Sequence, residues 1–260
     1  MSDCRMESIA DDPLAYAIMN GDFEDACDLI NNEDLDVKVN RQGCLYFAIN
    51  ENEVDIVREL LKHPDINVNF PHIHKGTPLL HAVNANSIGS VRELLKQPNI
   101  DVNTQEPFGC TPLYMASYEG RVRVVRELLL RHDQIDVNRT GDSNRAPLSI
   151  ASWRHKWKVV RELIAHENVD LNVRGPFGYT VLMWATLKGE LEVVSTLLQH
   201  DRLDTTLKNV AGSTALDIAN NCGHVAIAER LRDTELIRHG MDTIQHDASP
   251  TKRMRKTDIP

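Results

Sequence analysis

The sequence predicts an all-α solenoid of helix-turn-helix units, because the chain repeats itself about every 34 residues. The first observation is a set of triplets that end in Leu. Their middle residues are 31, 34, 34, 35, 34 and 34 residues apart, and they are Pro13, Cys44, Pro78, Pro112, Pro147, Val181 and Ala215. The second is an Ala that follows each Leu by three residues, and the third is a turn-forming residue four positions after that Ala.

The first helix of each unit is predicted to begin at its triplet. Asp12, Thr77 and Thr111 each precede a Pro. The Asp or Thr side chain suits the N-cap, where it can accept a backbone hydrogen bond. Pro suits the next position, because no helical donor is lost there.

A tight turn is predicted eight residues after each triplet centre. The residues in this column are Gly21, Asn52, Asn86, Gly120, His155, Gly189 and Gly223. Gly adopts positive φ freely, and Asn and His are enriched there among the other residues. We therefore expect one left-handed residue at each of these positions.

A second helix and a loop complete each unit. Segments such as 124–129 and 159–164 place apolar residues at i, i+3 and i+4, which is typical of a helix with one buried face. Arg recurs in four of these helices, each time followed by Glu, and this predicts a solvated outer face with weak ion pairs. The polar segments after them, such as 101–103 and 136–138, predict hairpin-like loops.

The T-P-L-x-x-A, V-V-x-x-L-L and D-V-N patterns resemble ankyrin repeats, in about seven copies over residues 8–238. The resemblance implies an ankyrin-repeat solenoid at residues 1–238, with the first and last repeats as caps, and a concave face of loops and first helices. The loop at 39–42 is about three residues short, so we expect a stunted finger there. Residues 239–260 depart from the pattern and are expected to form a basic, disordered tail.

Composition excludes several classes of protein. The net charge is −9, and residues 1–40 hold eleven acids against two bases, so general binding to nucleic acid is not expected. This acidic start is interpreted either as a solvated cap or as a docking patch for a basic partner. No apolar run suits a membrane span, and no signal core is present. The five scattered Cys indicate reduced thiols, so we expect a cytoplasmic location, with a nuclear location as the alternative.

The sequence shows no pattern of catalysis or metal binding. It lacks phosphate-binding glycine loops, a nucleophile elbow and a zinc-protease motif. His72, His74 and His81 lie close in sequence, but no Cys flanks them, and we expect no metal site. The histidines that follow the second helices are interpreted as structural, since an imidazole there can satisfy end carbonyls. We expect no enzyme activity and no cofactor.

The candidate partner-binding residues come from the resemblance. Ankyrin proteins usually contact partners through loop tips and through the two residues before the turn. Carried over to units four to six, these positions hold Phe108, Tyr118, Glu119, Arg145, Trp153, Arg154, Phe177, Tyr179 and Lys188. Aromatic residues are scarce in the chain, and Trp, Tyr and Arg dominate binding hot spots. The alternative is that the Phe side chains pack sideways between fingers; Trp157 and Trp184 are interpreted as structural.

The tail holds a second candidate. Lys252, Arg253, Arg255 and Lys256 form a basic cluster that suits a nuclear import signal. Ser249 precedes a Pro and resembles a proline-directed phosphorylation site. The alternative is a solvated tail that folds back on the acidic first unit.

These features predict a non-enzymatic protein–protein interaction module, an adaptor, scaffold or inhibitor that binds on the concave face. We expect a monomer whose partner is another, unidentified protein, with no nucleic acid and no membrane. Two alternatives remain open: a nuclear–cytoplasmic regulator with an import signal in the tail, similar to inhibitor-of-NF-κB or proteasome-chaperone ankyrin proteins, and a microbial effector that binds a host protein.

Overall fold

The computed structural model describes residues 12–31, 40–64, 66–72, 76–131, 134–141 and 144–246. Within these ranges the chain is helical, and its only bridge of β type joins His72 and Gly76. The helices are α1 (Pro13–Asn20), α2 (Phe23–Asn31), α3 (Asn40–Glu51), α4 (Val54–Leu60), α5 (Pro78–Ala85), α6 (Ile88–Leu95), α7 (Pro112–Glu119), α8 (Val122–Leu129), α9 (Pro147–Trp153), α10 (Trp157–Ile164), α11 (Val181–Leu187), α12 (Leu191–Leu198), α13 (Ala215–Cys222) and α14 (Val225–His246). The chain forms two compact units, residues 1–176 and 177–260.

The predicted helix starts are confirmed in six of the seven hairpins, where the first helix begins at the triplet centre. The hydroxyl oxygen of Thr111 accepts the backbone N–H of Tyr114 at 3.1 Å, and the carboxylate of Asp12 accepts that of Leu14 at 3.0 Å. In the last hairpin, Thr214 and Asp217 form a reciprocal capping box. These caps satisfy donors that the first helical turn leaves without partners.

The predicted turn column is confirmed at all seven positions. The φ angles of Gly21, Asn52, Asn86, Gly120, His155, Gly189 and Gly223 are 67, 62, 56, 80, 56, 72 and 71°. In every hairpin, the residue after the turn donates its N–H to the carbonyl of the recurring Ala, over 2.8–3.0 Å. The Ala column is therefore the acceptor that closes each turn, and its small side chain is buried where the two helices meet.

The second hairpin differs from the prediction. Helix α3 begins at Asn40, four residues before the triplet centre, so part of the segment expected to form a stunted finger is helical. The guanidinium of Arg41 is buried and donates to the carbonyl of Ile30 at 2.8 Å. No Asp, Thr or Pro directly precedes Cys44 to start the helix there. The helix therefore begins earlier and takes in residues 40–42 of the short connection.

An ion-pair ladder joins successive second helices of the first unit. Arg58 binds Glu93 at 3.0 Å, Arg92 binds Glu127 at 2.6 Å and Arg126 binds Glu162 at 2.6 Å. Each Arg thus pairs with the Glu of the next repeat. The arginine side chains are about half exposed, so solvent screens each pair and its contribution to stability is small.

An asparagine ladder joins successive loops in the same unit. The amide nitrogen of Asn103 donates to the carbonyl of Gln134 at 2.6 Å, and its amide oxygen accepts the N–H of Asp136 at 2.9 Å. Asn69 and Asn138 make the same pair of bonds to the loops that follow them. The D-V-N segments are therefore structural, because each Asn ties its own loop to the next one.

The second unit contains α11 to α14. Helix α14 continues to His246, past the boundary predicted at residue 238, and Arg230 on it is exposed, as expected for a terminal cap. Trp184 and Leu231 are buried in this unit. Ser249, Lys252, Arg253, Arg255 and Lys256, the residues predicted to form a phosphorylation site and an import signal, lie outside the described residues.

Candidate functional site

A small apolar cluster lies beneath two of the predicted site residues in the fourth and fifth repeats. Cys110, Tyr114 and Ile150 are buried together, and Tyr118 and Trp153 pack against them while remaining half exposed. The Tyr114 ring lies against the backbone of Gly141, where a Cβ would come within 2.6 Å of it. The rings of Tyr118 and Trp153 are therefore held in place from below by core packing.

Each of these two rings carries an arginine. The guanidinium carbon of Arg145 lies 4.7 Å from the centre of the Trp153 ring, and that of Arg154 lies 4.4 Å from the centre of the Tyr118 ring. Both distances are in the range of cation–π contacts. We call these four residues the Trp–Tyr surface.

Helix α9 positions both arginines, because one stands just before its start and the other just after its end. The carbonyl of Arg145 also accepts the N–H of Gly141 at 2.9 Å, which fixes the base of the finger. Among the described residues, no carboxylate forms an ion pair with Arg145 or Arg154. Their donors are thus available to a ligand.

Phe108 stands at the tip of the preceding finger. The finger is closed by the N–H of Glu106, which donates to the carbonyl of Cys110 at 3.1 Å, and the side chain of Gln105 links it to the carbonyl of Thr140 in the next finger at 3.1 Å. Phe108 is nevertheless 79% exposed, so it does not pack sideways between fingers.

The second unit holds the remaining predicted residues. Phe177 is 72% exposed and adopts a φ of 58°, which is unusual for an aromatic side chain. Its carbonyl accepts the N–H of Val210 at 3.0 Å. Tyr179 packs on the buried Trp184, with ring centres 4.6 Å apart, and Lys188 is exposed after α11.

Within the first unit, the structure brings together four of the predicted residues, which form the Trp–Tyr surface. Phe108 and Glu119 are exposed but make no described contact with it. Trp157, which the sequence analysis interprets as structural, is only half buried at the start of α10 and lines a surface groove. It is the one large aromatic other than Phe23 in a column that otherwise holds aliphatic residues.

The described residues hold no group of three side chains suited to a metal ion. Burial, with a smaller contribution from Asp12, raises the pKa of the Cys44 thiol, which therefore stays protonated at neutral pH. His74 and His132 lie outside the described residues, and the buried His166 accepts the N–H of Asn168 through Nδ1 at 3.3 Å. The histidine column thus contributes to loop structure in this repeat.

None of the helices in the described part of the chain is long and apolar enough to cross a membrane.

Comparison with protein families gives a match to ankyrin repeats in three overlapping copies, at residues 14–106, 85–175 and 148–242. The chain belongs to the ankyrin repeat family. Ankyrin repeats form protein–protein interaction modules, so this ankyrin protein is assigned to that class.

Solved ankyrin structures match this ankyrin protein over most of its length. The ankyrin repeat domain of Bcl-3, described as a unique member of the IkappaB family, has a TM-score of 0.70 and 26% identity, over 85% of this chain and 98% of that one. The ankyrin repeat protein EF0377 has a TM-score of 0.64 and 26% identity, over 74% and 97%. An ankyrin domain from Acinetobacter baumannii shares the fold at 23% identity, with a TM-score of 0.66 over 74% and 97%. No curated protein gives a significant match.

Proposed function

We propose that this ankyrin repeat protein is a non-enzymatic adaptor, scaffold or inhibitor that binds another protein through the Trp–Tyr surface. The observation that supports this is the pair of half-exposed rings, each covered by an arginine that has no described carboxylate partner. The surface belongs to first helices and a finger, the side that the family resemblance predicts to be concave.

The energetics favour this surface over other exposed regions. Trp, Tyr and Arg are the residue types that most often dominate binding energy, in well-packed positions near the centre of an interface. Trp153 and Tyr118 are already fixed by the cluster beneath them, so binding costs little side-chain entropy.

The chemistry of the surface indicates what kind of partner segment would fit it. The guanidinium groups of Arg145 and Arg154 suit carboxylates, and the exposed edges of the two rings suit an apolar side chain. A partner segment with acidic and apolar anchors would satisfy both. We propose that Phe108 and Glu119 contribute further contacts, and that Phe177, Tyr179 and Lys188 do so in the second unit.

The test is capture from native lysate, identification by mass spectrometry and measurement of the dissociation constant of the captured protein. Trp153→Ala is expected to weaken binding by about 2–4 kcal/mol, or about 30- to 700-fold. The matched control is Tyr16→Ala, which removes an aromatic that is 60% exposed in the first repeat. Equal affinity of a folded Trp153→Ala protein and wild type would place the partner elsewhere.

A second candidate is a nuclear–cytoplasmic regulator. It is favoured by the match to Bcl-3, which is described as a member of the IkappaB family, and by the basic cluster at Lys252, Arg253, Arg255 and Lys256. The same capture tests it, because an import receptor should bind the full chain and be lost when residues 248–260 are deleted.

A further inference from the structure

A basic surface lies on the turn edge of the fourth and fifth repeats, where the first helix of each repeat turns into the second. We call it the basic edge, and it consists of Arg123, His155, Lys156, Trp157 and Lys158. Four of these residues line one surface groove together with Gly120 and Val122. None of them belongs to the Trp–Tyr surface.

The charge of this edge is opposite to that of the first, second and sixth repeats at the same two positions, which are the residue after the turn and the second residue of the second helix. These positions hold Asp22 and Glu24, Glu53 and Asp55, and Glu190 and Glu192 in those repeats and the neutral Ser87 and Gly89 in the third, but Arg121 and Arg123 in the fourth and Lys156 and Lys158 in the fifth. Acidic residues are favourable near a helix N-terminus and basic residues are unfavourable there. The basic edge therefore does not serve helix stability.

The groove is built from ordered contacts. The aliphatic chain of Lys156 crosses the turn of the preceding repeat so closely that a Cβ on Gly120 would lie 2.7 Å from its Cδ. The rings of His155 and Trp157 stack with their centres 5.8 Å apart and their planes 30° apart. Arg121 is already engaged, since its guanidinium donates to the carbonyl of Val83.

Arg123, Lys156 and Lys158 form no described ion pair, in contrast to lysines elsewhere in the first unit. Lys62 pairs with Glu59 and Lys96 pairs with Glu93, each within its own repeat. Among the residues that the structure describes, no carboxylate pairs with Arg123, Lys156 or Lys158. An anionic ligand would complete this set of charges.

The basic edge continues directly from the proposed partner site. Arg154, which lies on the Tyr118 ring, is followed in sequence by His155 and Lys156. Only the turn residue His155 separates Arg154 from Lys156, so a peptide bound across the Trp–Tyr surface can extend onto the basic edge.

We propose that the basic edge binds an acidic peptide segment, with carboxylates on Arg123, Lys156 and Lys158 and an apolar side chain on Trp157. The inference rests on the proposed function, since the segment belongs to the partner that the Trp–Tyr surface holds. Charge favours a peptide over nucleic acid, because the chain as a whole carries −9 and the edge is confined to two repeats. The acidic segment gives the partner its orientation, since repeats two and six present acids at the equivalent positions.

The experiment selects binders from a displayed library of random 12-residue peptides on the wild-type chain. The enriched peptides are expected to be more acidic than the library, and their dissociation constants are measured by fluorescence anisotropy. Lys156→Glu with Lys158→Glu is expected to weaken them at least tenfold. Lys208→Glu with Arg230→Glu is the control, because it changes the net charge equally at exposed sites of the second unit.

Each outcome decides a separate point. Peptides that lose affinity with Trp153→Ala but bind the Lys156→Glu, Lys158→Glu protein as well as wild type would overturn the basic edge and leave the proposed function in place. Peptides insensitive to both changes would contradict both proposals. Enriched peptides no more acidic than the library would contradict the basic edge. Competition by single-stranded DNA as strong as that by the peptide would assign the edge to nucleic acid instead.

Discussion

Two arginines of the first unit, Arg126 and Arg154, differ in whether the next repeat supplies a charged partner. Arg126 belongs to a column that recurs in four repeats, and its guanidinium binds Glu162 of the next repeat at 2.6 Å. Arg154 belongs to a column whose residue changes in kind from repeat to repeat: Asn20, Glu51, Ala85, Glu119, Arg154, Lys188 and Cys222. It lies on an aromatic ring and has no described carboxylate partner.

The difference teaches a rule for reading the rest of the chain. A polar residue that recurs in several repeats can bond to its neighbour only if the next repeat supplies the matching group, and the two ladders show that it does. A polar or aromatic residue that appears once has no such built-in partner. Asn103 and Phe108 illustrate this within one loop, since the first bonds through both amide atoms and the second is 79% exposed.

The largest effect on stability should come from breaking the asparagine ladder. Asn103→Ala removes two hydrogen bonds to backbone groups of the next loop, and we expect the free energy of unfolding to fall by about 1–3 kcal/mol. Urea unfolding measures this as a lower midpoint at an unchanged slope.

Asn50→Ala is the control, because the one hydrogen bond of the Asn50 amide among the described residues goes to the neighbouring, exposed Glu51 carboxylate. It should leave the midpoint within about 0.5 kcal/mol of wild type. Equal losses from the two substitutions would show that the ladder does not hold the loops together.

Smaller changes in the free energy of unfolding, of opposite sign, are expected when two glycines are replaced by Ala. Gly189 has a φ of 72°, and a Cβ there would lie 2.9 Å from the His224 ring, so Gly189→Ala should cost about 1–2 kcal/mol. Gly43 lies within α3 with nothing within 4 Å of the added Cβ, so Gly43→Ala should stabilise the protein by about 0.5–1 kcal/mol. The thermal unfolding midpoints of the two variants should move in opposite directions. A higher midpoint for Gly189→Ala would mean that the turn column carries no conformational constraint, and a lower midpoint for Gly43→Ala would mean that helix propensity does not decide that position.

The sequence was sufficient wherever local chemistry decides the structure. Thr111 before Pro112 predicted a capped helix start, and His155 in the turn column predicted a left-handed residue, because these depend on the residue and its immediate neighbours. The early start of α3 was missed, since nothing local stops a helix from extending backwards when its connection is short.

The candidate site was only partly predictable. The repeat spacing placed Tyr118 and Trp153 on one face. The cation–π contacts, however, depend on the side-chain conformations of the two arginines that flank α9, which spacing does not predict. The same limit applies to Arg92, which bonds across repeats to Glu127 although Glu93 is adjacent in sequence. Partners about 35 residues apart are chosen by stacking geometry, which periodicity alone does not supply.

The smallest predicted effect concerns Glu93, which bridges two cations of the ion-pair ladder. Burial raises the pKa of this carboxyl, but hydrogen bonds from Arg58 and Lys96 outweigh burial, so its pKa in the folded state lies below the ordinary value. A lowered pKa contributes stability that is present above the unfolded-state pKa of about 4.3 and is lost as the pH falls through the folded-state pKa.

Glu93→Gln should therefore destabilise the protein by about 0.5–1 kcal/mol at pH 7, since Arg58 and Lys96 are largely exposed and screened by solvent. Urea unfolding between pH 7 and pH 3.5 should show the gap between wild type and variant closing at the acidic end. Glu59→Gln, which removes a carboxylate paired with Lys62 alone, should give a smaller gap. A gap that widens as the pH falls would mean that Glu93 is held in the protonated form, and that the ladder is joined there by a neutral hydrogen bond instead of an ion pair.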